Sequence, residues 1–226
     1  YPVLTANFQR HNMTKANLTT LKSKTDDVKK SALVLIECQN EWLHPTGHLY
    51  QSFKDKDLFE DSIKNIESAL VYARQIKMPI IHCGLRFQKG YPELANGKTG
   101  LRCAISHYGT FPIDTFNSQF YETLAPINDE FIVMGRTGSS GFAGSNLDVY
   151  LRNNNIETLY LVGYATNVCV ESTFREAQDK GYLPVIISDA TGTFDRIQQD
   201  HMLKYTVPHY GESITTGEFE RLYDYS

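Results

Sequence analysis

Short, almost wholly apolar runs recur along this chain, and most are separated by stretches with helical spacing. The runs are SALVLIE (31–37), MPIIHC (78–83), EFIVM (130–134), TLYLVG (158–163), LPVIIS (183–188) and ESIT (212–215). Strands that are apolar on both sides are typical of a parallel sheet covered by helices on both faces. The pattern therefore predicts a single-domain α/β fold with three layers, Rossmann-like, around a mostly parallel sheet of about six strands.

The segments between the strands predict the rest of the domain. Helical spacing is found over residues 57–77, 143–154, 168–180 and 195–207, and Thr215 or Thr216 caps a last helix. Residues 84–117 carry Gly, Pro and aromatic residues and predict a long irregular stretch. Residues 1–30 are polar and without clear periodicity. We therefore expect an N-terminal arm over 1–30 and one domain over 31–226.

Charge and cysteine content exclude several classes of function. The net charge is −4, and Lys and Arg form no blocks, so we expect no nucleic acid and no membrane as partner. No apolar run approaches the roughly 18 residues of a membrane span. The four cysteines are far apart and lack the spacing of a zinc site, which favours free thiols in a reducing compartment. We expect a cytoplasmic protein that acts on a small-molecule substrate.

Three reactive side chains follow three different strands of the predicted sheet. Glu37 ends the first strand, Arg136 follows the third, and Cys169 opens the helix after the fourth. Ligands bind at the carboxyl ends of the strands in such sheets, so we expect these side chains to converge. A helix start lowers the pKa of a thiol and offers N–H groups to an oxyanion. The residue types alone leave open that Cys169 is a small core residue and Arg136 a solvated loop residue.

Longer motifs around these residues resemble a known family. They are ALVLIECQNEW (32–42), the segment from GRTGSSGFAG at 135 to AQDKGY at 182, and VIISDAT (185–191). Over residues 31–215 the chain resembles the isochorismatase-like cysteine hydrolases. This family includes nicotinamidases and carbamoyl-amide, biuret and ureidoacrylate hydrolases.

The resemblance implies a role for each of the three residues. Cys169 aligns with the family nucleophile, Glu37 with an acid/base that is usually Asp, and Arg136 with a residue that is usually Lys. A cis peptide is implied between Tyr164 and Ala165. It aims the Ala165 N–H, together with that of Cys169, at the oxyanion. Because a guanidinium stays protonated, we expect Arg136 to hold a thiolate and to orient Glu37 through a forked pair. Glu37 then carries every proton transfer.

The implied activity is hydrolysis of a small amide or ureide C–N bond by a cysteine, through a thioester. Two alternatives remain at this point. One is an isochorismatase-type vinyl ether hydrolase, which needs the acid but no nucleophile. The other is a catalytically retired small-ligand-binding protein on the same scaffold. Relatives are often dimers or tetramers, so the resemblance also implies a homo-oligomer.

We expect neither a metal nor a cofactor. The Asp-x-His metal motif of nicotinamidases is absent from IIHCGLRFQKGY (80–91), so His82 is interpreted as a structural strand residue and His44 and His48 as surface-loop residues. The substrate pocket is expected from the loops after the first two strands and from the glycine-rich turn. The candidates are Asn40, Trp42, Arg86, Phe87, Tyr91 and Phe142, with Arg86 as a possible partner of a substrate carboxylate.

Overall fold

The computed structural model describes residues 28–95 and 97–223. Its strands are β1 (Ser31–Ile36), β2 (Ile80–Cys83), β3 (Phe131–Ile132), β4 (Thr158–Tyr164), β5 (Leu183–Gly192) and β6 (Glu212–Ile214). Its α-helices are α1 (Asn40–Leu43), α2 (Lys56–Gln75), α3 (Gly100–Tyr108), α4 (Leu147–Asn153), α5 (Glu171–Asp179), α6 (Arg196–His201), α7 (Val207–Tyr210) and α8 (Thr216–Leu222). Single π-helical turns cover Thr166–Val170 and Met202–Thr206, and short 3-10 helices cover Tyr50–Ser52, Pro92–Leu94, Phe116–Ser118 and Glu122–Leu124.

Within the described residues the strands form one six-stranded sheet in the order β3-β2-β1-β4-β5-β6. Every strand pairing in it is parallel. This confirms the α/β prediction and shows the sheet to be wholly parallel. The chain runs outward in both directions from the β1–β4 pair, which makes this pair the topological switch point. The ends of β1 and β4 therefore lie side by side, with Ile36 paired to Gly163.

Helices cover both faces of the sheet, and β1 shows why its sequence is almost wholly apolar. Leu33 and Leu35 point to a core shared with α2 and α8. Val34 and Ile36 point to the opposite core, shared with α4 and α5. All six residues of β1 are buried. After Ser31 at its start, the central strand therefore carries only apolar side chains up to its carboxyl end.

The structure differs from several sequence-based expectations. The stretch 84–117, predicted to be irregular, contains α3. The helix predicted over 143–154 begins only at Leu147, because the residues before it belong to the loop that surrounds Arg136. Most of the predicted arm lies outside the described residues. Within them, Val28 is buried against the core, and the backbone carbonyl of Lys30 accepts hydrogen bonds from the N–H groups of Glu157 and Thr158.

Gly163 lies where β1 and β4 approach each other closely. Its φ is +111°, and a Cβ atom there would overlap the carbonyl group of Ile36. Gly181 also has a positive φ, +87°, but nothing lies within 4 Å of the position of its Cβ. We predict that Gly181→Ala costs about 1–2 kcal/mol of backbone strain. Gly163→Ala should cost at least about 2 kcal/mol more, because it adds overpacking. Urea denaturation of the two variants checks this, and equal losses would contradict it.

Candidate active site

Glu37 is the first polar side chain after β1, and its backbone is held in an unusual conformation. Its φ is +52°, a region that non-glycine residues rarely adopt. Its N–H donates to the carbonyl oxygen of Cys83 at the end of β2, at 3.0 Å. The side chain is 1% exposed. Strained residues of this kind are concentrated at functional sites, where the surrounding fold enforces them.

Arg136 follows β3, and the loop after it closes around its guanidinium. Nε lies 3.1 Å from the Gly138 carbonyl oxygen and 3.2 Å from that of Ser140, and Nη1 donates to the Cys83 carbonyl at 3.0 Å. Nη2 lies 2.6 Å from Glu37 Oε1. The expected forked pair is therefore wrong: one nitrogen reaches the carboxylate, because carbonyl groups occupy the other donors.

The second oxygen of Glu37 has a partner of its own. The indole Nε1 of Trp42 donates to Glu37 Oε2 at 2.9 Å. The indole ring also packs against Phe53, Tyr164 and Phe194. Because the ring is fixed on several sides, its N–H holds the carboxylate in one orientation. Trp42 and Arg136 thus position the two oxygens separately.

Cys169 lies in the π-helical turn Thr166–Val170 that leads from β4 into α5. The peptide between Tyr164 and Ala165, just before this turn, is cis. The Thr173 hydroxyl donates to the Cys169 carbonyl at 2.7 Å and accepts from the Gly141 N–H at 2.8 Å. The cysteine turn is thereby tied to the loop that surrounds Arg136.

The environment of the Cys169 thiol differs from the sequence-based expectation. The residue is only 4% exposed. Burial raises the pKa of the thiol well above its ordinary value, and the Glu37 carboxylate raises it further, while Arg136 acts in the opposite direction. The expected lowering of the pKa at a helix start is therefore wrong, because desolvation and a neighbouring anion outweigh the guanidinium. These surroundings favour the protonated thiol over the thiolate.

Arg136 remains a cation. Burial acts to lower the pKa of its guanidinium, but Glu37, Cys83 and Cys169 together raise it above the ordinary value. A guanidinium in this state neither takes up nor releases a proton at accessible pH. Any proton that moves in this site has to move between the thiol, the carboxylate and a bound molecule.

Glu37, Ala165 and Cys169 line a cavity of about 540 Å³. This volume lies within the range of roughly 300–1,000 Å³ found for small-molecule sites. The helix α3, which the sequence analysis missed, supplies Leu101, Arg102, Ala104, Ile105 and Tyr108. Other lining residues include Leu49, Leu85, Phe111, Val168 and Phe194. A signal for α3 was present: Leu101, Ile105 and Tyr108 follow helical spacing, and Gly109 ends the helix with φ +68°.

Among the predicted pocket residues, Trp42 and Phe87 line this cavity. The other four do not, because each side chain is engaged elsewhere. Asn40 donates to the Phe116 carbonyl, and the Tyr91 hydroxyl donates to that of Thr110. Phe142 stacks on Tyr182 in the core. The Arg86 guanidinium lies 4.9 Å from the centroid of the Phe120 ring, and its Nε donates to the Ser118 carbonyl.

The histidines considered as metal ligands have other partners. Nε2 of His82 lies 2.8 Å from Glu130, which Arg74 also binds. Burial lowers the pKa of His82, although Glu130 acts in the opposite direction. His48 contacts the buried carboxylate of Glu41. In residues 28–95 and 97–223, no group of three or more His, Cys, Asp or Glu side chains has an arrangement that could hold a metal ion.

The burial of Cys169 and the raised pKa of its thiol predict low reactivity. With limiting iodoacetamide at neutral pH, the half-buried Cys103 should react before Cys169. The rate at Cys169 should keep rising beyond the pKa of a free thiol, about 8.5. Peptide mass spectrometry at each of the four free cysteines measures both rates. A fast reaction at Cys169 that levels off well below this pH would show a thiolate and contradict the account.

The carbonyl groups around Arg136 predict that lysine is a poor replacement. An ammonium has three donors on a flexible stem and cannot match the planar guanidinium. We expect Arg136→Lys to lower the free energy of unfolding by about 2–4 kcal/mol. Arg152→Lys is the control, because Arg152 forms an exposed ion pair with Asp148 and should change stability little. Urea denaturation that shows equal midpoints for the two variants would contradict this.

Comparisons with known proteins agree with this geometry. The Isochorismatase domain family model matches residues 31–218. The chain is 31% identical over 174 residues to ureidoacrylate amidohydrolase RutB of Cronobacter sakazakii (strain ATCC BAA-894), covering 72% of this chain and 75% of the relative. None of the helices in the described part of the chain is long and apolar enough to cross a membrane.

Solved structures share the fold. A cysteine hydrolase from Pseudomonas syringae pv. phaseolicola 1448A has a TM-score of 0.73 at 25% identity, covering 88% of this chain and 95% of that chain. Nicotinamidase PncA from Bacillus subtilis has a TM-score of 0.67 at 21% identity, covering 82% of this chain and 99% of that chain. With the family model spanning most of its length, this chain belongs to the isochorismatase family.

Proposed function

We propose that this protein is a cysteine-dependent hydrolase that cleaves a C–N bond of a small amide or ureide through a thioester intermediate. The observation that carries the proposal is that Cys169 and Glu37 line the same cavity, with Arg136 bound to the carboxylate at 2.6 Å. The relationship to an amidohydrolase at 31% identity supports the reaction class. The protein belongs on this view among hydrolases of non-peptide C–N bonds.

In the first half of the reaction the thiol attacks the substrate carbonyl. Because the thiol is protonated at rest, Glu37 accepts its proton as the bond from Sγ to the carbonyl carbon forms. The oxyanion is held by the backbone N–H groups of Ala165 and Cys169. Glu37 then passes the proton to the leaving nitrogen, the C–N bond breaks, and the amine departs. A thioester on Cys169 remains.

In the second half water hydrolyses the thioester. Glu37 accepts a proton from the water, whose oxygen attacks the thioester carbon. The C–S bond breaks, and the proton returns to sulfur as the carboxylic acid is released. The net change is addition of one water across the C–N bond. Arg136 moves no proton, but its charge stabilises the anionic carboxylate and the transient negative charge on sulfur.

The assembly and location of the protein are part of the proposal. By analogy with the family, the protein forms a homo-oligomer, a dimer or a tetramer. It acts on a small molecule without nucleic acid or membrane as partner, in the cytoplasm. Neither a metal nor a cofactor takes part in the proposed steps.

The catalytic roles are tested by ammonia release from hexanamide, benzamide and ureidoacrylate. Cys169→Ala and Glu37→Gln should each lower kcat/KM by about 10³-fold or more. When residues act together in one reaction, the loss of either one removes most of the rate enhancement that they give jointly. Cys103→Ala is the matched thiol control and should retain activity, since Cys103 does not line the cavity.

Two outcomes favour the alternatives. Vinyl ether hydrolysis of isochorismate that survives in Cys169→Ala but not in Glu37→Gln would favour the acid-only reaction. Tight binding without turnover of any substrate by the native protein would favour a retired binding protein.

A further inference from the structure

We propose that the substrate is a neutral amide or ureide with a bulky apolar substituent, and that the wall formed by α3 binds that substituent. This inference rests on the proposed function, and it narrows the substrate class. It comes from the composition and exposure of the cavity wall away from Glu37 and Cys169.

The cavity is larger and more apolar than a small polar ureide requires. Only a carbonyl and its leaving nitrogen need to reach Cys169 and Glu37. The remaining wall is mostly aromatic and aliphatic, with contributions from Leu49, Phe87, Leu101, Ile105, Phe111 and Phe194. A cavity of about 540 Å³ with such a wall gains affinity from apolar area removed from water. A small polar molecule would leave most of that wall unused.

The wall also lacks a well-held cation for a substrate carboxylate. Among the described lining residues, the only cationic side chain is Arg102, which is exposed and donates to the Glu93 carbonyl. Arg136 is committed to Glu37, and Arg86 to Ser118 and Phe120. A carboxylate placed against this wall would lose hydration without gaining a buried partner.

The apolar face of α3 remains partly open to solvent. Leu101 and Tyr108 line the cavity and yet are 43% and 65% exposed. Ile105 lies between them on the same helical face and is half-buried. Large apolar side chains that border a cavity and stay exposed are typical of ligand-binding grooves. An apolar substituent that lies along this face would cover the exposed portions.

A matched set of primary amides tests the substrate class. We expect kcat/KM of the native protein to rise about fourfold per added methylene from acetamide through butyramide to hexanamide. Isocaproamide and succinamate have a similar shape. Isocaproamide has two methyl groups where succinamate has the two oxygens of its carboxylate. Isocaproamide should be preferred at least about tenfold. Calorimetric affinities of Cys169→Ala for the same compounds should follow the same order, which separates binding from chemistry.

Two substitutions test the role of α3. Leu101→Asn should lower kcat/KM for hexanamide roughly five- to tenfold more than for acetamide, because it removes apolar surface from the wall. Ile113→Asn is the matched control: Ile113 is 44% exposed, against 43% for Leu101, but does not line the cavity. It should leave the ratio of the two rates unchanged.

The outcomes separate the two proposals. Turnover that depends on Cys169 but does not rise with chain length, or that favours succinamate, would overturn the substrate class and leave the proposed function standing. Absence of turnover for every amide would count against the proposed function. In that case, affinities of Cys169→Ala that do not rise with chain length would overturn the role of the apolar wall as well.

Discussion

The candidate site depends on one buried ion pair, between Glu37 and Arg136. Glu37 is attached to the end of β1, Arg136 follows β3, and both bind the carbonyl oxygen of Cys83 at the end of β2. The pair therefore ties three neighbouring strand ends together. Removing two charges from water is costly and is offset only when every donor and acceptor finds a partner. The carbonyl groups around Arg136 and the indole of Trp42 meet this condition.

In the proposed mechanism the ion pair also affects how Cys169 reacts. A nucleophilic cysteine is commonly activated by a lowered pKa, but here burial and the Glu37 carboxylate raise it. The carboxylate that disfavours the resting thiolate is also the group that can accept the thiol proton during attack. Activation is thus coupled to the arrival of a carbonyl that takes up the new charge. On this proposal we expect the thiol to react poorly with general electrophiles and to react with molecules that fit the cavity.

The sequence was sufficient for the sheet and for the placement of Glu37, Arg136 and Cys169 at strand ends. These features follow from apolar periodicity and from the rule that parallel strands end at one edge. The cavity wall was not predictable to the same degree. Helix α3 lies among Gly, Pro and aromatic residues. Because these residues predict turns and loops, they outweighed the helical spacing of the apolar residues within α3. The real partners of Arg86 and Asn40 are backbone carbonyl groups distant in sequence, which no local pattern encodes.

The central claim is that Cys169 becomes acylated, and the most direct measurement is mass spectrometry of the native protein quenched with acid during turnover of hexanamide. We expect a hexanoyl adduct on the peptide that contains Cys169, and none on those that contain Cys38, Cys83 or Cys103. Hexanoate that forms without any adduct, and that still forms in the Cys169→Ala variant, would show direct attack by water and contradict the account.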